Sequence, residues 1–369
     1  MTKAPPSTAH SRFMAEADEK VWIRTAHAEV ADLFKHKPAL YWTDLLITSA
    51  VAWIATVVFF VAPAWSFTQL SAWFVAGVAF YRGGTFMHEI IHMPRQQLNG
   101  FKAIWNALIG IPMLLPWILY RNHIEHHNRA HFGTPRDGEY YPLAAAPIRD
   151  TLLYLIKSPF LSIMAVARFA IAGPVSRLIR PLRSWVLTAA SAYASNPYYR
   201  KRFPDKDLPQ LQRVEWLCFA WLLFWLALTL FGPVQWHHWV MAWLLHSLAL
   251  TLNWLRNLAA HGYANRGKAM SHLAQLEDSI NLTGQTWLTV WLFPVGLRYH
   301  ALHHLFPGLP YHELGRAHRR LMARFGEDSP YAVANHDNYF AVVARLIKGA
   351  LDTAPSQSAI HQWRSPQAR

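Results

Sequence analysis

The sequence predicts an all-α integral membrane protein with four transmembrane helices in two hairpins and a cytoplasmic, histidine-rich helical cap. Of the 369 residues, 53% are hydrophobic. Two runs, 45–65 and 216–236, carry no charged residue, and each is long enough to cross a bilayer, which takes about 20 residues. A second apolar segment closely follows each run, at 67–81 and at 239–255. Each pair therefore predicts one membrane hairpin.

The distribution of Lys and Arg predicts the orientation of these hairpins. The turns at 62–66 and 232–238 contain neither residue, whereas Arg82 and Arg256 lie at the other ends of their helices. Cytoplasmic segments carry the excess of positive charge, so the remaining segments are expected on the cytoplasmic side of a bacterial inner membrane. The net charge of +14 then indicates a basic surface next to anionic lipid, and no nucleic-acid partner is expected.

The chain divides into three predicted parts. Residues 1–41 form a cytoplasmic N-terminal arm, whose first 14 residues look disordered and whose segment 15–37 is expected as a helix on the membrane surface. Residues 42–322 form the membrane domain, with hairpins at about 42–92 and 214–260 and the cap at 93–213 and 261–322. Residues 323–369 form a cytoplasmic C-terminal tail that ends in disorder.

Two segments of the cap are predicted to lie in the membrane interface. Segment 101–120 is apolar but interrupted by Gly110, Pro112 and Pro116, which favours a shallow or re-entrant path over a full span. Segment 151–174 mixes apolar residues with Lys157 and Arg168 and is typical of an amphipathic interfacial helix. The single cysteine, Cys218, falls in a predicted membrane helix, so neither a disulfide nor a thiolate metal site is expected.

Three histidine clusters recur at helical spacing, which places the imidazoles of each cluster on one helical face, able to converge on one point. The clusters are HEIIH with His88 and His92, HIEHH with His123, His126 and His127, and HALHH with His300, His303 and His304. Convergent imidazoles predict metal binding. Eight clustered ligands exceed the four that a zinc site takes, so two metals are expected. Imidazole binds iron, zinc, copper and nickel, and the spacing does not identify the element.

A helix rise of about 1.5 Å per residue adds one further candidate ligand. Counted from Ser66, His88 lies roughly 33 Å along its helix, just beyond a hydrocarbon core of about 30 Å. The same count from Trp239 reaches His261, which is therefore predicted at the same depth as His88. His237 and His238 fall near the opposite membrane face and are not expected to bind the metals.

Polar residues beside the clusters are predicted to orient the ligands, because outer hydrogen bonds fix the direction of ligating imidazoles. His131 stands four residues after His127 and could reach the same helical face. The carboxylates that could take this part are Glu89, Glu125, Asp137 and Glu139.

The three boxes and the stretch YHALHHLFPGLPYHELGRAH at 299–318 resemble the membrane fatty-acid desaturase superfamily, which includes acyl-lipid and acyl-CoA desaturases and carotenoid hydroxylases and ketolases. The resemblance covers about 45–320. It implies two iron ions, O2 as co-substrate and oxidation of a fatty acyl chain, with desaturation expected first. It also implies His261 as a ninth ligand and Asn257, four residues earlier, as the holder of an iron-bound water.

Several alternatives stay open on the sequence. Hydroxylation, oxidative decarboxylation to a terminal alkene and carotenoid oxidation could use the same oxidant. The carrier could be an acyl lipid, an acyl thioester or a free fatty acid; the three-residue gap in HEIIH is more like acyl-lipid desaturases. HEIIH also matches the H-E-x-x-H motif of zinc proteases, but that reading leaves two histidine boxes unused. A non-catalytic metal carrier is the last alternative.

The electron source is expected to be a separate protein, since no fused haem or iron–sulfur domain appears in the sequence. The basic cytoplasmic face would attract an acidic ferredoxin or rubredoxin by electrostatic steering.

Overall fold

The structure is a computed structural model that describes residues 16–93, 98 and 100–364. The predicted disorder of the first 14 residues and of the extreme C terminus lies outside the described residues. The described chain is mainly helical, which confirms the predicted class. Its α-helices are α1 (Glu16–Val30), α2 (Pro38–Val61), α3 (Phe67–His92), α4 (Phe101–Trp105), α5 (His123–His126), α6 (Ile148–Ile156), α7 (Leu161–Ala167), α8 (Gly173–Ser176), α9 (Arg180–Trp185), α10 (Leu208–Phe231), α11 (Trp236–Asn257), α12 (His272–Asp278), α13 (Thr286–Leu292), α14 (His300–Leu305), α15 (Leu314–Phe325), α16 (Pro330–Val333), α17 (Tyr339–Asp352) and α18 (Ile360–Arg364).

Short strands and tighter or wider helical turns complete the chain. Strands β1 (Asn281–Leu282) and β2 (Asn335–His336) pair in parallel. The 3-10 turns are Ala31–Phe34, Trp117–Tyr120, Leu143–Ala145, Ser158–Phe160, Asp205–Asp207 and Pro355–Gln357, and the π turns are Asn106–Gly110, Arg168–Ala172 and Val186–Ala190.

The chain forms two units that each contain separate stretches of sequence. The first unit consists of the described residues of Met1–His36, Glu125–Thr151 and Arg256–Ala368, and the second of those of Lys37–Ile124 and Leu152–Leu255. Residues after 322, predicted as a tail, form α16, α17 and α18 within the first unit.

Helices α2 and α3 of the second unit pack against each other in opposite directions. Asp44 near the start of α2 pairs with Arg82 near the end of α3 at 2.6 Å, and at the other end Gln69 donates to the carbonyl of Phe59 at 3.3 Å. Between the helices, the Ser66 side chain caps α3 by accepting from the Gln69 amide, which satisfies one of the free donors of a helix N-terminus. The exposed Trp65 at this turn is typical of a membrane interface.

Three stretches of the described chain are long and apolar enough to cross a membrane, by length and composition: Pro38–Val61, Ile148–Ser176 and Asp205–Phe231. The first and third agree with the predicted first arms of the two hairpins. The second overlaps the segment predicted to lie in the interface. Helices α3 and α11 form where the second arms were predicted, and their crossing of the membrane stays a prediction.

The first unit has a core built from helices at both ends of the chain. Ala26 and Val30 of α1 pack with Leu302 of α14 and with Leu314 and Leu321 of α15. The helix predicted at 15–37 is therefore present, and its apolar face is buried in this core. The same core supports α14, which carries the third histidine box.

Candidate metal centre

Four histidines of the first unit converge in one buried cluster, which we call the four-histidine cluster: His126, His261, His300 and His304. One ring nitrogen from each lies within 4.8 Å of all the others. His126 is the last residue of α5, His261 follows the end of α11, and His300 and His304 are one turn apart on α14. The i, i+4 spacing puts these last two on one helical face.

Long-range backbone pairing brings His261 to this cluster. His261 forms an isolated antiparallel bridge with Ser279, and Asn281 forms another with Tyr299. The fully buried Asn281 side chain also accepts a hydrogen bond from the amide of Leu302, at 3.1 Å, inside α14. The segment around 279–281 therefore ties the His261 loop and the third box to one another.

The nitrogens in the cluster are spaced as metal ligands would be. Nε2 of His261 lies 3.1 Å from Nε2 of His126 and 3.0 Å from Nε2 of His300. Nε2 of His300 also lies 3.2 Å from Nε2 of His304. Ligands about 2.1 Å from one ion and at right angles to each other are separated by about 3.0 Å. The spacing thus fits imidazoles around a single cation.

Hydrogen bonding alone accounts poorly for these contacts. A neutral imidazole nitrogen offers either one hydrogen or one lone pair in the ring plane, so the Nε2 of His261 and of His300, with two neighbours each, could make only one well-aligned hydrogen bond each. A cation that accepts all four lone pairs satisfies every ring. The donor set therefore fits a metal ion, and imidazole suits iron among others.

Two of the rings are held from outside through their Nδ1 atoms. Nδ1 of His126 lies 2.8 Å from Oδ2 of the fully buried Asp137. Nδ1 of His261 lies 3.2 Å from Oγ of Ser279 and 3.6 Å from Oδ2 of Asp278. Ser279 donates its own proton to the carbonyl of Gln275, so it accepts from His261. With Nδ1 protonated, each ring directs an Nε2 lone pair into the cluster.

Asp137 is itself held by backbone amides. Its Oδ1 accepts from the amides of Glu139 at 2.9 Å and Tyr140 at 3.1 Å, and its Oδ2 accepts from that of Gly133 at 3.0 Å. Although burial opposes ionisation, attraction to His126 and these hydrogen bonds lower the pKa of Asp137. Burial likewise disfavours charge on His126, but Asp137 outweighs it and raises the pKa of that imidazole. Asp137 thus stays a carboxylate that can accept from Nδ1.

The remaining rings of the cluster are kept neutral. Burial, reinforced by neighbouring positive groups, holds the pKa of His261, His300 and His304 well below the usual value. Neutral imidazole is the form that binds a metal.

Asp278 and Tyr140 form a buried pair beside His261 that sequence reasoning missed. The Tyr140 hydroxyl donates to Oδ1 of Asp278 at 3.1 Å. Burial raises the pKa of Asp278 to about 7 and raises that of Tyr140 well above its usual range. No spacing relates Asp278 to the histidine boxes. The sequence signal is no more than two adjacent carboxylates, Glu277 and Asp278, in the mixed segment SHLAQLEDSINL.

The other predicted ligands form two further groups, each described within its own unit. In the first unit, Nε2 of His127 lies 3.1 Å from Nε2 of His303. In the second unit, the ring of His123 lies 4.4 Å from that of His88 and 5.1 Å from that of His92, measured between centroids. Both groups consist of predicted ligands brought together by the fold.

The prediction that all three histidines of HIEHH converge on one point was wrong for His126, which joins the four-histidine cluster. Helix α5 ends at His126, so His127 does not continue the helical spacing. Nε2 of His127 lies 3.1 Å from Nε2 of His303, and the His127 ring stacks on that of His304 with 4.2 Å between centroids. His123 contacts His88 and His92.

The structure places the other predicted orienting residues as follows. Nδ1 of His131 lies 2.6 Å from Oε2 of Glu125, and the Glu139 amide donates to Asp137. Glu89 accepts from the Tyr41 hydroxyl at 2.7 Å. Asn257 ends α11, and its side-chain oxygen accepts from Arg256.

Comparison with known proteins identifies the family. The family model described as fatty acid desaturase matches residues 64–334, a range that contains all three histidine boxes and His261. The chain belongs to the fatty acid desaturase family. Members are membrane-bound, O2-dependent di-iron oxidoreductases that act on lipids, which agrees with the predicted class, the apolar helices and the histidine clusters.

This chain is similar to a curated protein along almost its whole length. It is a ceramide hydroxylase of Caulobacter vibrioides, 35% identical over 337 residues, which are 88% of this chain and 93% of the relative. The family therefore includes a hydroxylase similar to this chain along nearly its full length.

Proposed function

We propose that this protein is an O2-dependent di-iron enzyme that hydroxylates a hydrocarbon chain of a ceramide-type membrane lipid. The observation that carries the oxidative chemistry is the buried four-histidine cluster, with nitrogens spaced for one cation. The choice of hydroxylation rests on the similarity to a ceramide hydroxylase over 88% of the chain.

The proposed ligands of one iron are His126, His261, His300 and His304. The nine-histidine set predicted from the sequence leaves His88, His92, His123, His127 and His303 for a second iron. Once bound, the irons would supply an oxidant made from O2 that can attack an unactivated C–H bond, chemistry that side chains alone do not provide.

The protein's own side chains would hold this oxidant in place and exclude water from it. Asp137 and Ser279 orient the rings of His126 and His261 through Nδ1, an arrangement that fixes the direction of the ligating nitrogen. His126, His261, His300 and Asp137 are each less than 5% exposed. Exclusion of water protects a reactive centre from side reactions.

Desaturation, which the sequence predicted first, is the second candidate, supported by the match to the fatty acid desaturase family. The two reactions differ in their stoichiometry. Hydroxylation converts C–H, O2, two electrons and two protons into C–OH and one water. Desaturation takes two hydrogens from neighbouring carbons and, with the same electrons and protons, yields two waters. Only the first leaves an oxygen atom in the lipid.

Isotope labelling separates the two candidates. The gene is expressed in a ceramide-producing bacterium that lacks it, the cells are grown under 18O2, and their lipids are analysed by mass spectrometry. We expect a ceramide that carries one 18O, and no such product from cells that express His300→Ala. His237→Ala, at an exposed position on α11, serves as the matched control and should yield the labelled ceramide.

Other products would decide against the proposal. An unlabelled lipid two hydrogens lighter would establish desaturation, and an alkene in the culture headspace would establish decarboxylation. Labelled carotenoid with unchanged ceramide would replace the proposed substrate.

The proposed electron donor is a separate acidic protein such as a ferredoxin or rubredoxin. Helix α15 exposes Arg316, Arg319 and Arg324, which would attract such a partner. We further propose that the enzyme lies in a bacterial inner membrane with its metal centre on the cytoplasmic side, on the Lys and Arg distribution of the sequence.

A further inference from the structure

Three arginines of the second unit surround one buried glutamate, an arrangement we call the arginine cluster. Glu215 of α10 is 5% exposed. Arg168 lies 3.1 Å from its Oε1, Arg183 lies 2.9 Å from its Oε2, and Arg177 lies 3.2 Å from its Oε2. Three guanidinium groups against one carboxylate leave an excess of two positive charges at this place.

The carboxylate has little capacity left to neutralise that excess. Oε1 accepts from both Arg168 and Arg183, and Oε2 contacts both Arg177 and Arg183. Among the described residues, Glu215 is the only carboxylate that pairs with any of the three arginines. Nε and Nη1 of the buried Arg168 also make no hydrogen bond within the described chain.

The side chains of Arg177 and Arg183 are partly open, at 23% and 22% exposed. A guanidinium carries five N–H donors, so each of these two keeps donors that Glu215 does not use. Planar guanidinium groups bind phosphate through paired hydrogen bonds. The open side of the cluster is therefore suited to a phosphate.

The surroundings of the cluster identify the source of that phosphate. Glu215 is the last charged residue before the charge-free run 216–236, and the Arg177 guanidinium lies over the ring of Trp216, 4.9 Å from its centroid. Next to these arginines in the chain, Leu178 in the turn after α8 is 88% exposed, and Trp185 at the end of α9 is 53% exposed. Large exposed apolar side chains beside a tryptophan are typical of the boundary between hydrocarbon and headgroups.

We propose that the arginine cluster binds the phosphate headgroup of an anionic phospholipid. The phosphate contacts Arg177 and Arg183, and the acyl chains lie along Leu178 and Trp185. Basic pockets between membrane helices bind anionic headgroups in this way. The site belongs to the second unit, and its proposed lipid binding does not depend on which reaction the protein catalyses.

The test measures lipid binding to the purified, delipidated full chain in detergent. Phosphatidylglycerol and phosphatidylcholine are titrated separately, with binding followed by native mass spectrometry and by the midpoint of thermal unfolding. We expect phosphatidylglycerol to bind and to raise the midpoint, and phosphatidylcholine to do neither at the same concentration. An equal response of the wild-type protein to both lipids, or to neither, overturns the proposal without need of a variant.

Variants then locate the site. Arg177→Gln combined with Arg183→Gln keeps Arg168 paired with Glu215, and we expect phosphatidylglycerol to bind on the order of 30-fold more weakly. Arg180→Gln removes an exposed arginine from the same stretch and should bind as the wild type does. Equal losses in both variants would mean a diffuse basic surface and contradict the proposal. Displacement of the lipid by millimolar inorganic phosphate would mean an ion site and also contradict it.

Discussion

His261→Ala is expected to lose the iron of the four-histidine cluster and, with it, the activity. Nε2 of His261 is the atom that contacts the rings of both His126 and His300. The alanine variant lacks this central nitrogen, so only three of the four proposed ligands remain. Activity should fall further than the roughly 10- to 100-fold that loss of an outer hydrogen-bond partner costs. Iron per protein, measured by elemental analysis of detergent-purified variants, gives the result.

Two matched variants show whether the loss is specific. His237→Ala removes an exposed histidine at the start of α11 and should keep the full iron content. His131→Ala removes the partner of Glu125 and should keep iron, with activity lowered only within the range for an outer partner. Full iron in His261→Ala, with the fold intact by circular dichroism, would exclude His261 as a ligand.

Glu215→Gln is expected to cause the largest loss of stability. The substitution preserves shape but removes the only negative charge among three guanidinium groups. Breaking a buried ion pair by removing one partner costs about 3–5 kcal/mol, because the other charge stays buried without compensation. The midpoint of thermal unfolding in detergent should therefore fall markedly, while iron content per folded protein should not change.

The control for this variant is Glu327→Gln, which makes the same chemical change at an exposed position after α15. Its effect should stay within about 0.5 kcal/mol, as for surface substitutions in general. Similar midpoints for the two variants would show that the arginine cluster contributes little to the fold.

The helices and most of the histidines that approach one another could be predicted from local patterns. The charge-free runs became α2 and α10, and HALHH formed the α14 face that presents His300 and His304. Such features depend on spacing within one element, which the sequence shows directly. The helical rise also led to His261, although the residue lies in none of the boxes.

The rest of the site depends on contacts between distant residues. Ser279 and Asp278 reach His261 through a backbone bridge between segments 18 residues apart. Helix α5 ends at His126, and Nε2 of His126 and of His127 lie beside different residues, His261 and His303. The local sequence does not predict this helix end. The three-to-one arginine cluster likewise joins residues up to 47 positions apart. Tertiary packing determines such strand registers and helix ends, so local sequence patterns predict them least reliably.

Iron binding by the four-histidine cluster can be measured by X-ray absorption of the detergent-purified protein, compared between the wild type and His261→Ala. We expect an iron edge with nitrogen ligands around the metal in the wild type, and a smaller edge with fewer nitrogens in the variant. A zinc edge without iron, or an iron edge that is the same in both proteins, would show that the cluster is not an iron site.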